Sequence, residues 1–377
     1  NKTLLIYNHY DVQPPEPLEL WDTPPFQPSM RDGKLYGRGV SDDKGHIVAR
    51  LHAIDSILET DAELPCNIKF IIEGEEETAS VNLYQFVMDN QDLLKADACM
   101  WEFGGVDHTE TPMQYLGLRG ICYVELTVDL LSTDVHSGLG GSIFPNAAWR
   151  LIWALNSLKG PDERILIPGF YDNIRQPSDR DRELMTALPD PADEYKFRYG
   201  VPYFLKGLTG GTELKLEEVF SPTCTICGLT SGYQGPGSKT VLPAKASAKV
   251  DFRLIPDQDP ADILRKLRTH LDANGFTDIQ ITDLGGDAPA RTDPDDPFIQ
   301  LVSSTAEEIY EKPMMLVPLV GGSGPSHPFV HALGLPVATG GLGYPDAKAH
   351  APNENIRVDL YLKHSRHMAR IIKEFAA

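Results

Sequence analysis

The stretch Ile71-Ile72-Glu73-Gly74-Glu75-Glu76-Glu77-Thr78 sets four glutamates into five positions at the end of an apolar run. The residues before it, Asn67-Ile68-Lys69-Phe70-Ile71-Ile72, are largely apolar and β-branched and predict a buried strand. A strand that runs out into clustered carboxylates places negative charge at the mouth of a sheet, where α/β folds keep their sites. Like charges so close together repel, and desolvation raises the cost unless a cation sits among them. On its own, a glutamate run reads as a solvated acidic turn. The surrounding chain gives this one another meaning.

On the N-terminal side, Leu4-Leu5-Ile6-Tyr7 is a short apolar strand ending at His9-Tyr10-Asp11, followed by a loop rich in proline (Pro14, Pro15, Pro17, Pro24, Pro25, Pro28). The segment Lys34-Leu35-Tyr36-Gly37-Arg38-Gly39-Val40-Ser41-Asp42-Asp43-Lys44-Gly45 leads into a helical pattern over 47–58. Beyond the acidic run, the pattern predicts a helix near 81–94 and a strand over 98–101 ending at Glu102. Strands alternating with helices predict an α/β layer with a largely parallel sheet.

After Gly117-Leu118-Arg119-Gly120 the texture changes. Strand 121–128, helix 146–158, alternating strand 245–254, helix 260–271 and strand 279–281 predict a small α+β unit with its own core. From about Thr292 the first texture resumes, with helix 298–310, strands near 314–318 and 336–339, and a terminal helix 360–375. The expected organisation is a catalytic domain, residues 1–120 and 292–377, interrupted by an inserted domain, residues 121–291. No internal repeat or low-complexity segment interrupts it.

Composition narrows the function. With 377 residues, 41% hydrophobic and 23% charged, the chain has material for a substantial core and reads as globular. Thirty-four basic against 54 acidic side chains leave a formal charge of −20, which argues against nucleic acid and anionic membrane surfaces as partners. No apolar run reaches the roughly 18 residues of a spanning helix. Five cysteines are no disulfide framework in a chain of this length, so a reducing, cytoplasmic setting is expected. Cys224 and Cys227 form one CxxC inside a strand-like run and are read as structural. The chain opens on Asn1 directly before a strand, which suggests a segment upstream.

Three polar clusters fall at predicted strand ends: His9 with Asp11, Glu76 with Glu77, and Glu102. Asp42 opens a helix, and His350 lies in the loop 340–353. Singly, each has an ordinary reading, Asp42 as a helix cap and the histidines as hydrogen-bonded surface or core residues. Together they form a mixed nitrogen and oxygen donor set that suits Zn²⁺, Mn²⁺ or Co²⁺ rather than Ca²⁺.

The motifs His9-x-Asp11, Gly37-Arg38-Gly39-x-x-Asp42-x-Lys44-Gly45, Glu73-Gly74-x-Glu76-Glu77 and Ala349-His350-x-x-Asn353-Glu354 resemble, in order and spacing, those of the dinuclear metallopeptidase family. That family includes carnosinase-like dipeptidases, aminoacylases, glutamate carboxypeptidases, and the acetylornithine and succinyl-diaminopimelate deacylases. Gly117-Leu118-Arg119-Gly120-Ile121-Cys122-Tyr123 is most similar to the carnosinase-like, cytosolic nonspecific dipeptidase branch.

The resemblance implies a phosphorylase/hydrolase-like α/β catalytic domain interrupted by an inserted α+β, ferredoxin-like lid and dimerisation domain. It implies two divalent metal ions per subunit, Zn²⁺ first, with Mn²⁺ or Co²⁺ as alternatives. Asp42 would bridge them, His9 and Glu102 would hold one, and Glu77 and His350 the other. Glu76 would be the general base, and Asp11 would fix the tautomer of His9. In the inserted domain, His136 of Asp134-Val135-His136-Ser137-Gly138 resembles a lid histidine that stabilises the oxyanion, in this branch from the partner subunit of a homodimer. Thr240, Arg253 and Ser323 resemble substrate contacts, with the Arg253 fork suited to a peptide's terminal carboxylate.

The implied reaction is hydrolysis of a dipeptide or short peptide. The alternatives are an N-acyl-amino-acid deacylase and a non-catalytic metal- or peptide-binding protein, the last of which would have no use for Glu76. Two departures bear on substrate class. Glu102 stands where dipeptidases usually place Asp, and Ala79 replaces the glycine common after the glutamate pair.

Overall fold

The computed structural model describes all 377 residues, which divide into two compact units. The first comprises Asn1–Leu118, Ala290–Val320 and Gly324–Ala377, and the second Arg119–Pro289 with Gly321–Ser323.

The first unit is built on a four-stranded, wholly parallel sheet in the order Val337–Thr339, Ala98–Trp101, Thr3–His9, Asn67–Glu73. Strand Thr3–His9 is buried from Leu4 to His9, as expected for an inner parallel strand covered on both faces. Its register pairs His9 with Glu73, so the two polar clusters finish level at the carboxyl edge. Tyr7 stacks on Trp101 at 4.0 Å between ring centroids, and Phe329 meets both rings edge-on. Its longest helices are Lys44–Asp61, Pro297–Tyr310 and Val358–Phe375, the last strongly amphipathic and buried along one side.

The fully buried Arg50, on helix Lys44–Asp61, donates to the carbonyls of Tyr7, Trp101, Glu102 and Gly340 and to the Asn8 side chain. It thereby ties together the carboxyl ends of three parallel strands.

The second unit is an antiparallel sheet in the order Thr223–Ser231, Lys245–Leu254, Gly120–Asp129, Gln280–Asp287. Helices Ala147–Leu158 and Pro260–Ala273 pack on one face through a single apolar cluster. With its helices in sequence the unit reads βαββαβ, the ferredoxin-like arrangement. Strand Lys245–Leu254 alternates strictly, with Ala246, Ala248, Val250, Phe252 and Leu254 inside.

Two local expectations are corrected. The helix expected near 81–94 is two pieces, Leu83–Asp89 and Gln91–Leu94, broken at Asn90, which leaves helical geometry at ψ 25°. The segment 159–222, in which the pattern marks no element, holds helices Asp179–Ala187, Ala192–Tyr199 and Gly211–Phe220. These are polar and short, so periodicity is weak. The first does carry a capping box, Ser178 with Asp181, that marks its start.

His367 in the terminal helix gives this packing a pH signature. Its ring is buried, with Nε2 3.0 Å from the Val302 carbonyl, which requires a proton on that nitrogen. Burial pulls its pKa down to about 4, against the raising effect of the Val302 bond. Below the unfolded value of about 6.5 the unfolded chain takes up a proton that the folded ring refuses, so stability falls with pH, by about 3 kcal/mol once pH 4 is passed. His367→Gln, which keeps a donor for Val302, should flatten the fall in urea midpoint between pH 6.5 and 4. An unchanged slope would exclude this ring as its source.

Candidate functional site

The site lies at the carboxyl edge of the parallel sheet, and each side chain is placed by a strand end or by the loop that follows it. His9 ends its strand, Glu102 follows Ala98–Trp101, and Glu76 and Glu77 form a 3₁₀ turn just beyond Asn67–Glu73. Asp42 lies in the loop before helix Lys44–Asp61, where Gly39 takes a left-handed φ of +83° and a Cβ on Gly45 would meet the Val40 carbonyl at 2.0 Å. His350 is itself at φ +61°, an uncommon conformation for a side-chain-bearing residue and one that recurs at functional sites.

Asp42 is the centre of the arrangement. One oxygen is 2.9 Å from His9 Nε2 and the other 2.9 Å from His350 Nε2. On the first side Glu102 Oε2 lies 3.8 Å from His9 Nε2; on the second Glu77 Oε2 lies 3.3 Å from His350 Nε2. Two donor groups result, each with atoms within 4.8 Å of one another: His9, Asp43 and Glu102, and Asp42, Glu77 and His350.

Asp43 is a member of the first group that the sequence does not set apart. It is buried, and its oxygens already accept from Asn8 Nδ2 at 2.6 Å and from the His9 amide at 3.2 Å, and lie 2.8 Å from His46 Nδ1. The Asp42-Asp43 adjacency was the available signal, but only burial distinguishes the two.

The supporting contacts are dense. His9 Nδ1 lies 3.2 Å from the Asp11 backbone carbonyl, its hydrogen-bond partner, and 3.3 Å from Asp11 Oδ1, while Asp11 Oδ2 accepts from the Glu77 amide at 2.9 Å. Glu354, fully buried, accepts from Arg38 Nη1 at 2.7 Å and from the amides of Gly39, Ser41 and Asp42 at 2.8–3.0 Å. It therefore shapes the loop that carries Asp42, a role its position in the Asn353-Glu354 pair did not disclose. Glu73 accepts from Tyr7 and, at 2.9 Å, from Ser80, pinning both sides of the acidic turn.

Electrostatically the site calls for cations. Burial pushes the Glu76 carboxyl up to about 7, with Asp42, Glu77 and Glu73 adding to it and His9 opposing. Glu102 is raised well above the carboxylate range by burial, then by Glu76, Asp43 and Asp42. Burial would lower His9, but Asp42, Glu102 and Asp43 outweigh it and raise the imidazole to about 11. Buried oxygens on Glu77, Glu102 and Asp11 accept no hydrogen bond. Crowded carboxylates with unsatisfied oxygens beside two imidazoles fit divalent cations.

The other predicted residues belong to the second unit. His136 and Thr240 come together across the pairing of Val135–His136 with Val241–Leu242, 3.5 Å from Nε2 to the hydroxyl. His136 is exposed, and its Nδ1 accepts from the Gly138 amide at 3.0 Å. Arg253 Nη1 donates to Ser323 Oγ at 2.8 Å. Cys224 is buried and Cys227 exposed; both are free thiols outside either donor group.

Comparison with known proteins extends this picture. The chain is 32% identical over 281 residues to the "Beta-Ala-His dipeptidase" of Mus musculus, an alignment covering 72% of this chain but only 55% of that protein. It is 27% identical over 394 residues to the "Cys-Gly metallodipeptidase dug1" of Schizosaccharomyces pombe, covering 100% of this chain and 80% of the relative. Among solved structures, an M20 family metallo-carboxypeptidase from Sulfolobus solfataricus superposes with a TM-score of 0.94 at 36% identity, over 100% of this chain and 85% of that one. Human carnosine dipeptidase 1 does so with a TM-score of 0.78 at 27% identity, over 100% and 81%. The profile of peptidase family M20/M25/M40 matches residues 5–374, and the chain belongs to that family.

Proposed function

We propose that the protein is a metal-dependent exopeptidase that hydrolyses dipeptides or short peptides. The observation that carries this reading is the Asp42 carboxylate, with one oxygen against His9 and the other against His350, each side completed by a glutamate. Asp42 would bridge two divalent ions, His9 and Glu102 holding one and Glu77 and His350 the other, with Zn²⁺ the first choice and Mn²⁺ or Co²⁺ alternatives. Bound there, the ions would polarise the scissile carbonyl and acidify the attacking water.

The chain's own groups do the rest. Glu76 takes a proton from the attacking water and returns it to the leaving amine as the C–N bond breaks, worth about 10²–10⁴-fold. Asp11 holds the His9 ring in the tautomer that leaves Nε2 free to ligate. From the second unit, the lid in this reading, His136 donates to the oxyanion, Thr240 contacts substrate, and Arg253 with Ser323 receives the terminal carboxylate. Glu102, in place of the aspartate usual in dipeptidases, keeps a second reading open, N-acyl-amino-acid deacylation. Paired dipeptide and N-acyl-amino-acid panels separate the two.

The reading includes a homodimer formed through the second unit. Its support is a set of exposed apolar side chains in this unit, Leu139, Ile143 and Phe144, together with Trp149, stacked on Trp153, and Ile152 on helix Ala147–Leu158. A reducing, cytoplasmic setting accords with five free cysteines, and no helix is long and apolar enough to cross a membrane.

Metal binding and turnover should separate by residue. Glu76→Gln should keep two ions per chain by elemental analysis yet lose about 10²–10⁴-fold in kcat. Near-normal turnover at full occupancy would remove Glu76 as the base. Asp42→Ala should lose both ions. The metal-stripped wild type should gain about 2.7 kcal/mol of unfolding free energy per occupied site when Zn²⁺ is supplied at a hundred times that site's dissociation constant, a gain absent from Asp42→Ala.

Subunit exchange tests the dimer. If His136 serves the neighbouring site, equal amounts of inactive His136→Ala and Glu76→Ala proteins should recover roughly a quarter of wild-type activity, since about half the dimers are mixed and each mixed dimer has one complete site. No recovery after verified exchange would place His136 in its own chain's site.

A further inference from the structure

Along strand Lys245–Leu254 the even-numbered residues enter the core of the second unit and the odd-numbered ones face away, so Asp251 and Arg253 stand side by side on the outer surface. Asp251 lies between Tyr123 and Thr225 on the two flanking strands. Its Oδ2 is 3.5 Å from Arg253 Nε, and its side chain is only 14% exposed. Its other oxygen is buried and accepts no hydrogen bond. Arg253 Nη1 reaches Ser323 Oγ on the opposite side of the fork.

A second guanidinium complicates this surface. Arg119 is buried, with its two terminal nitrogens spent on the Glu218 and Ser221 carbonyls at the end of helix Gly211–Phe220. Burial lowers its pKa to about 10, the Arg253 charge adds to that, and Asp251 opposes it. Glu218 and Glu217 also offset the Arg119 charge, but Asp251 is the carboxylate that lies against Arg253. Without it, repulsion from a fixed Arg119 would turn the more mobile Arg253 outward, toward solvent.

The contact length matters as much as the charge. At 3.5 Å the Asp251–Arg253 pair is longer than a hydrogen bond and engages the Nε edge, so it orients the guanidinium without occupying the Nη edge that binds carboxylates bidentately. A bidentate Asp–Arg pair would have closed that edge to any ligand.

We propose that Asp251 is the positioning residue for Arg253, holding the guanidinium by its Nε edge so that the Nη edge, with Ser323, is presented to the terminal carboxylate of a peptide. This rests on the reading of Arg253 as the group that receives that carboxylate. Asp251 touches no reacting atom. It removes rotamer freedom that an arginine would otherwise lose on binding, so its effect should fall on substrate affinity rather than on turnover.

The test compares a dipeptide with its C-terminal amide, using metal-loaded full-length protein. Asp251→Ala should raise KM for the dipeptide about tenfold, with kcat changed less than about twofold and the amide's kcat/KM unchanged. Asp251→Asn, which keeps the shape but removes the charge, should raise that KM nearly as much, and it stands in for the alanine variant if the latter does not fold. An equal loss on both substrates would make Asp251 a structural residue, and an unchanged dipeptide KM would show that Arg253 needs no support; either overturns the proposal.

Arg253→Lys, measured in parallel, separates the two levels. If it costs dipeptide and amide equally, the carboxylate reading of Arg253 fails, and the role of Asp251 with it. If it discriminates between them while Asp251→Ala and Asp251→Asn do not, the positioning role fails alone.

Discussion

The guanidinium of Arg50 holds this molecule's chemistry in place. Three parallel strands run out side by side at the carboxyl edge of the first unit's sheet. Arg50 supplies donors to the carbonyls of Tyr7, Trp101, Glu102 and Gly340, in a position fully removed from water. Buried carbonyls without donors are costly, and a buried guanidinium without acceptors is more so, so each makes the other tolerable. The strand ends that bear His9 and Glu102 are fixed as a consequence.

The same logic recurs one layer out. Glu354 draws three amides of one loop and Arg38 onto one carboxylate, and so sets the path of the backbone that presents Asp42. Asp43 does likewise for the Asn8–His9 strand end and His46. Glu73 joins Tyr7 to Ser80 across the acidic turn. In each case a carboxylate engaged by protein donors fixes a segment that carries a residue of the site. The negative charge of the chain is therefore not uniform surface charge. Part of it is structural, and it leaves unsatisfied oxygens on Glu77 and Glu102, one in each of the two donor groups, where cations are favoured.

The second unit solves a different problem. One face of its antiparallel sheet buries a continuous apolar cluster under two helices, which leaves the other free for polar work. Asp251 and Arg253 use that face, two residues apart because the period of a strand is two. The side chain of Ser323 arrives from a loop that returns to this unit from far along the chain.

Strand and helix order, the parallel character of the first sheet and the α+β texture of the insertion were all readable from the sequence, because they depend on local periodicity and on apolar runs of different length. The candidate donors could be named there too, since His9, Asp42, Glu77, Glu102 and His350 carry their chemistry in residue type and in their position after a strand or in a loop, and the fold brings them into two neighbouring groups. Other features could only come from the tertiary structure. Asp43 and Asp42 are neighbours of identical type, and only burial shows that one has its oxygens engaged while the other lies between two imidazoles. Glu354 acts on residues more than 300 positions away, and Arg50 looks in the sequence like any basic residue on a helix. The polar helices of 159–222 escaped for the opposite reason, being too short and too charged to leave a period. Periodicity and residue type are local properties and survive in one dimension. Desolvation and the sharing of hydrogen-bond partners depend on which distant groups meet, and only the folded chain decides that.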